Sequence, residues 1–185
     1  MEISVLRIPE GIPQWHLVVS FLRLRKEVFI DKMDWQLHDV EAMEYEQYDR
    51  FDAVYIIAHE NGKVMGGARL LRSDRKMGVY SYMLRDAFRG LLPGIPQEVC
   101  DVQPPSSDTV WELTRLAVNR TGDVAKQILE ETNKYLSSQG ASECLFLGPP
   151  SFMRMAKSML FHPKPLGKIS GNRDGRFLAF SCAIR

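Results

Sequence analysis

Apolar and polar residues alternate along residues 2–8, a period that predicts a short strand. The period changes at Trp15: apolar side chains then recur at helical spacing to about Lys32, with Pro13 placed near the start as helices prefer. Residues 34–52 lose both periods, are polar, and read as a long loop with a helical turn. Residues 53–59 and 63–71 are two strands joined at Glu60-Asn61-Gly62, a hairpin signal because Asn-Gly supplies positive φ angles. A short helix is predicted over 82–91, and the proline-rich stretch 93–105 reads as a surface loop joining two halves of one domain. Strand 109–118 leads through Asn119, Arg120, Thr121, Gly122 and Asp123 into a helix ending near Ser138. A strand over 142–147, a helix over 150–160 and a last strand over 176–184 complete an α/β order with a mixed sheet.

One of these strands carries charge where a core strand would not. In Trp111-Glu112-Leu113-Thr114-Arg115-Leu116-Ala117-Val118, a period of two puts Glu112 and Thr114 on one face and Trp111, Leu113, Arg115 and Ala117 on the other. An unpaired internal charge is costly, so partners are required. The chain upstream offers Arg25, Phe29, Trp35, the acids Glu44, Glu46 and Asp49, and Arg69 after Gly66-Gly67. The turn from Asn119 to Asp123 has two readings: backbone N–H groups suited to phosphate or amide oxygens, or a plain helix cap by Asp123.

Composition narrows the class. The 185 residues are read as a single domain, 1–185, large enough to bury a core that holds a cleft. A net charge of +1 gives no reason to expect nucleic acid or a membrane surface. Cys100, Cys144 and Cys182 are odd in number and lack CxxC spacing, which indicates neither a disulfide framework nor a zinc site. The opening residues lack a leader pattern and no apolar run approaches the length of a bilayer span, so the expected location is the cytoplasm.

The segments Arg25-Lys26-Glu27-Val28-Phe29, Trp35, Glu44-Tyr45-Glu46-Gln47-Tyr48-Asp49, Arg69-Leu70-Leu71 and Glu112-Leu113-Thr114-Arg115 follow one another in a set order. In that order the chain resembles the acyl-homoserine-lactone synthases, the autoinducer synthases of bacterial quorum sensing. Glu46 departs from the pattern, standing where the family usually has Asp. The resemblance implies a GNAT-like three-layer fold: a mixed central sheet flanked by helices, with two strands splayed into a cleft. It also implies an enzyme that uses S-adenosylmethionine as a substrate and takes an acyl group from acyl carrier protein or acyl-CoA, with no resident cofactor. The amine of S-adenosylmethionine attacks the thioester, and its carboxylate then closes the lactone and releases 5′-methylthioadenosine.

Roles follow from the resemblance. Glu112 is the candidate base, or else pairs with Arg69 or Arg115 to hold the sheet. Arg25, Arg69 and Arg115 are positioning groups, or a salt-bridge lattice with Glu44, Glu46 and Asp49. Phe29 and Trp35 are placed against adenine and sulfonium, with packing on the helix face the other reading for Phe29. Phe146 is placed in the acyl tunnel, with a core position as the alternative. Tyr45, Tyr48 and Phe51 are read as packing. Arg72, Arg75, Lys76, Arg85 and Arg89 are read as a solvated face that also suits an acidic carrier protein. Two rivals remain: a GNAT acyltransferase using acyl-CoA on another amine, and a non-catalytic ligand-binding domain on the same fold.

Overall fold

The structure, a computed structural model, describes residues 1–119 and 122–185. In chain order the strands and helices are β1 (Glu2–Leu6), α1 (Trp15–Arg25) running on as a π-helix (Lys26–Lys32), β2 (Asp39–Val40), β3 (Met43–Glu44), β4 (Val54–Glu60) and β5 (Lys63–Arg72). Then come α2 (Met83–Phe88), β6 (Val110–Val118), α3 (Val124–Ser138), β7 (Glu143–Gly148), α4 (Pro150–Ser158), β8 (Lys164–Pro165), β9 (Ser170–Asn172) and β10 (Gly175–Ala183). The chain divides into two compact units, each built from two stretches: Met1–Leu70 with Arg115–Tyr135, and Leu71–Thr114 with Leu136–Arg185.

In the first unit β1, β4 and β5 form an antiparallel meander, with Leu6 opposite Tyr55 and Tyr55 opposite Arg69. The turn behaves as Asn-Gly predicts: Asn61 and Gly62 both take positive φ, 48° and 77°. Two residues on, the register shifts between Ala58 and His59, which face Gly66 and Val64, so Met65 is the extra residue of a bulge. Helix α1 lies close to β5 because Gly67 has no side chain: a Cβ there would stand 2.9 Å from the Phe21 ring. At Gly66 a Cβ would stand 2.8 Å from Val118 and 2.9 Å from the Ala117 carbonyl oxygen. Large neighbours on either side of β5 therefore require glycine.

The second unit pairs β6 in parallel with β7, and β7 antiparallel with β10, which also carries β8 and β9. Parallel and antiparallel pairing together make the sheet mixed, as the element order predicts. The β6–β7 register covers Val110 to Leu113 against Glu143 to Phe146, although β6 continues to Val118 and β7 to Gly148.

Three expectations need correction. Residues 34–52 hold a two-stranded hairpin, Asp39 opposite Glu44, and then turns in which the Asp49 N–H reaches the Glu46 carbonyl and the Ala53 N–H the Arg50 carbonyl. The hairpin turns through Glu41 and Ala42 at φ 49° and 63°, a left-handed pair that neither residue type advertises. The period-two reading of β6 stops at Arg115, whose φ of 56° interrupts the pleat. The proline-rich stretch is not simply a surface loop: Val99 and Cys100 are buried, and the Asp101 N–H donates to the Leu166 carbonyl. The turn from Asn119 to Asp123, read as a phosphate site or a cap by Asp123, includes Arg120 and Thr121, which lie outside the described residues.

Candidate active site

Helix α1 delivers Arg25 at its last turn, and the π-helix that follows delivers Phe29. Two ion pairs five residues apart, Lys26 with Asp31 and Glu27 with Lys32, each at 2.6 Å, match the i, i+5 spacing of a π-helix. As the chain leaves this helix the Trp35 N–H donates to the Phe29 carbonyl at 2.9 Å. That bond folds the indole onto the phenyl ring, centroids 5.1 Å apart and planes 9° from parallel. The two rings lie on each other, so a ligand would meet the outer surface of the pair instead of entering between them. Phe29 is buried and Trp35 half-buried.

The predicted charges of the first unit form a closed alternating ring. Arg25 donates through Nε to Glu44 at 2.5 Å and through Nη1 and Nη2 to the two oxygens of Asp49 at 2.6 and 2.9 Å. Glu44 also accepts from Arg115, at 3.2 Å to Nη2. Arg115 Nη2 reaches Glu46 Oε2 at 2.8 Å, and Glu46 Oε1 accepts from Arg69 at 2.6 Å. Arg69 closes the circuit on Asp49 Oδ1 at 3.0 Å. Arg25 and Arg69 are fully buried, so three guanidinium groups and three carboxylates compensate one another where isolated charges would be untenable. The Arg115 guanidinium also stands 5.8 Å from the Phe29 centroid, which ties the ring to the aromatic pair.

Electrostatics confirm a mutually neutralised set. Burial acts to raise the Asp49 carboxyl but is outweighed by Arg69 and Arg25, which hold it well below the usual carboxylate range. Burial likewise opposes ionisation of Glu46 and is overcome by Arg115 and Arg69, which lower its pKa. Arg69 and Arg25 are raised in turn, burial being overridden chiefly by Asp49. Tyr55 was not anticipated: its hydroxyl donates to Asp49 Oδ1 at 3.0 Å, and burial, with Asp49 beside it, pushes the phenol up. The available signal was a tyrosine inside the aliphatic strand Val54-Tyr55-Ile56-Ile57. Tyr45 adds a hydroxyl bond to the Asp49 carbonyl, and the Glu46 N–H reaches Asp49 Oδ2.

Glu112 belongs to the second unit and is fully buried. One oxygen accepts the Met83 N–H at 2.9 Å and the other the Leu84 N–H at 2.8 Å, so the carboxylate holds the first turn of α2. Near it, burial and then Glu112 itself push the Cys100 thiol up to about 12. The Tyr82 phenol, which donates to the Pro105 carbonyl, is raised by the same two causes. Phe146 stacks on Phe180, its cross-strand partner, at 5.0 Å, and meets Phe152 of α4 edge-on at 5.5 Å. It stands at the last registered pair of β6 and β7, opposite Leu113. Among the basic residues, Arg72 pairs with Asp74, Arg85 donates to the Pro104 carbonyl, and Arg89 reaches Asp86 and the Val79 carbonyl. Arg75 and Lys76 are exposed. Among the described residues no helix is long and apolar enough to cross a membrane.

A mixed sheet flanked by helices, with β6 and β7 registered over only part of their length, is an α/β arrangement of the GNAT-like kind. The structure resembles TofI, solved in a ternary complex with an inhibitor and MTA, with a TM-score of 0.79 and 27% identity over 100% of this chain and 92% of that one. The autoinducer synthase family matches residues 16–155, and the chain belongs to that family. The acyl-homoserine-lactone synthase of Acinetobacter nosocomialis is 26% identical over 181 residues, 91% of each chain. That of Ralstonia solanacearum is 40% identical over 114 residues, 60% of this chain and 48% of the relative, so the chain spans about half the length of that relative.

Proposed function

We propose that this protein makes an acyl-homoserine lactone from S-adenosylmethionine and an acyl thioester. The observation that carries the reading is the alternating ring of Arg25, Glu44, Arg115, Glu46, Arg69 and Asp49 beside the Phe29–Trp35 stack. It offers cations for a carboxylate, anions for an ammonium and a sulfonium, and an aromatic face for an adenosyl group. Glu112 takes the role of base, drawing the proton from the amine directly or through a water. The freed amine attacks the thioester carbon and the thiol leaves. The methionine carboxylate then attacks its own γ-carbon, the C–S bond breaks with its electron pair on sulfur, and 5′-methylthioadenosine departs. The MTA bound by TofI supports this reading, since it is the expected product. Phe146, with Phe152 and Phe180, is assigned to the acyl end and favours a donor without a 3-oxo group, because a phenyl ring offers no hydrogen bond. The donor is acyl carrier protein or coenzyme A thioester.

The test is incubation of the purified protein with S-adenosylmethionine and a panel of acyl donors, followed by detection of 5′-methylthioadenosine and the lactone. Thiol release that proceeds on another amine without S-adenosylmethionine would assign an ordinary N-acyltransferase. Binding without thiol release would assign a ligand-binding domain.

A further inference from the structure

We propose that Glu46 is a displaceable stand-in for the substrate's carboxylate: on binding, the α-amino-acid carboxylate of S-adenosylmethionine takes the Arg115 Nη2 edge that Glu46 Oε2 occupies at 2.8 Å. This rests on the functional reading above and concerns how the same site admits its substrate. The six ring members differ in exposure. The side chains of Arg25, Asp49 and Arg69 are 0% exposed and Glu44 1%, whereas Arg115 is 6% and Glu46 15% exposed. The bond between Arg115 and Glu46 therefore joins the two most exposed members of the ring.

Both partners keep an anchor when that link opens. Arg115 stays on Glu44, which accepts from its Nε at 3.2 and 3.3 Å. Glu46 stays on Arg69 through its other oxygen at 2.6 Å. Exchange of one carboxylate for another leaves the charge facing Arg115 unchanged, so no buried cation is stranded during the swap. The Phe29 ring lies under the same guanidinium, with Trp35 stacked on it, so a ligand whose carboxylate sits at Nη2 has an aromatic surface at hand for its adenosyl end. The displaced Glu46 oxygen then faces the cationic end of the ligand that displaced it. Glu46 bridges the two arginines with one oxygen on each.

The experiment is calorimetric titration of the protein with S-adenosylmethionine and with decarboxylated S-adenosylmethionine, which keeps the sulfonium and adenosine but lacks the carboxylate. Wild type should prefer the carboxylate-bearing ligand by roughly tenfold, the discrimination a charged hydrogen bond sustains. In Glu46→Gln, where the competing charge is gone, that preference should widen severalfold. In Arg115→Gln it should collapse to about one, with Arg115→Lys intermediate because charge remains without the planar fork. Arg115→Lys also keeps the test decisive should the glutamine variant fail to fold. An unchanged ratio in Glu46→Gln, or a ratio retained in both Arg115 variants, overturns the exchange while leaving the function standing. Wild type that binds no S-adenosylmethionine overturns the functional reading and the exchange with it.

Discussion

Tyr55 and Arg69 stand directly opposite each other on neighbouring antiparallel strands and converge on the same atom, Asp49 Oδ1, each at 3.0 Å. Arg25 Nη1 reaches that oxygen too, at 2.6 Å. Asp49 is thus the point through which helix α1 and strands β4 and β5 are joined, and its loss should be felt as stability before it is felt as chemistry. Asp49→Asn takes one of two carboxylates from each of two buried guanidinium groups, leaving Arg25 on Glu44 and Arg69 on Glu46, and should cost about 3–5 kcal/mol. Tyr55→Phe removes one donor while its ring still meets Trp15 and Phe21, and should cost about 1 kcal/mol. Urea unfolding of both variants checks the order; equal effects would contradict it.

Acid should undo the ring in a defined direction. Asp49 and Glu46 are held below the ordinary carboxylate values in the folded state, so the unfolded chain takes up their protons first as pH falls. Their contribution is fully present above the unfolded values near pH 4 and declines as pH drops from there toward the folded ones. Unfolding free energy measured between neutral pH and about pH 3 should fall below that threshold, and Asp49→Asn should flatten the fall. A variant as acid-sensitive as wild type would remove Asp49 as its source.

Glu112→Gln combines two losses. An amide presents an oxygen to only one of the Met83 and Leu84 N–H groups, so about 1.5–3 kcal/mol of stability should go with the charged bonds. If Glu112 is also the base, turnover should drop by about 10²–10⁴-fold at temperatures where the variant is folded. A folded variant with near wild-type turnover would leave Glu112 as the support of α2 alone.

Trp35→Ala should weaken S-adenosylmethionine binding by about 0.5–2 kcal/mol with little effect on unfolding, since the indole is half-buried on a loop. Calorimetric titration decides it. Unaltered affinity would make the Phe29–Trp35 stack a packing feature of the chain leaving the π-helix.

Phe146→Leu should shift the donor profile toward bulkier acyl groups while keeping the core apolar; Phe146→Ala, which opens the Phe146–Phe152–Phe180 cluster, should cost about 3–5 kcal/mol as well. A stable Phe146→Leu protein with the wild-type donor profile would return Phe146 to the core.

Carrier docking is best tested at Arg75 and Lys76. Arg85 is committed to the Pro104 carbonyl, and reversing it would disturb the loop it holds. Reversal at the two exposed residues should slow transfer from an acidic carrier protein far more than from a coenzyme A thioester, and the difference should shrink at high salt. Equal slowing with both donors would place docking elsewhere.

Side-chain chemistry made much of the molecule legible in the sequence. The Asn61-Gly62 hairpin and a helix from Trp15 to about Lys32, which the structure divides into α1 and a π-helix, follow from residue type and spacing, and the membership of the acid and arginine sets follows from the resemblance. What stayed hidden depends on backbone. Glu112 is held by two peptide N–H groups, which leave no mark on the residues that supply them. Glu41, Ala42 and Arg115 take positive φ without glycine or asparagine to announce it. Which acid meets which arginine was also beyond reach, because Glu44, Glu46 and Asp49 are interchangeable in type and only the β2–β3 hairpin and the following turn sort them.

The bulge at Met65 bears on how this strand tolerates changes in its length. Because Met65 has no partner on β4, its deletion would restore a regular β4–β5 ladder and still leave Arg69 opposite Tyr55, at the cost of the bond its carbonyl accepts from the Asn119 N–H. An insertion three residues later, between Ala68 and Arg69, would instead move Arg69 past Tyr55 and turn it to the opposite face, withdrawing one cation from Asp49 and Glu46. Across sequences that diverge by small insertions and deletions, β5 should tolerate a change of length at the bulge better than one between Gly66 and Arg69.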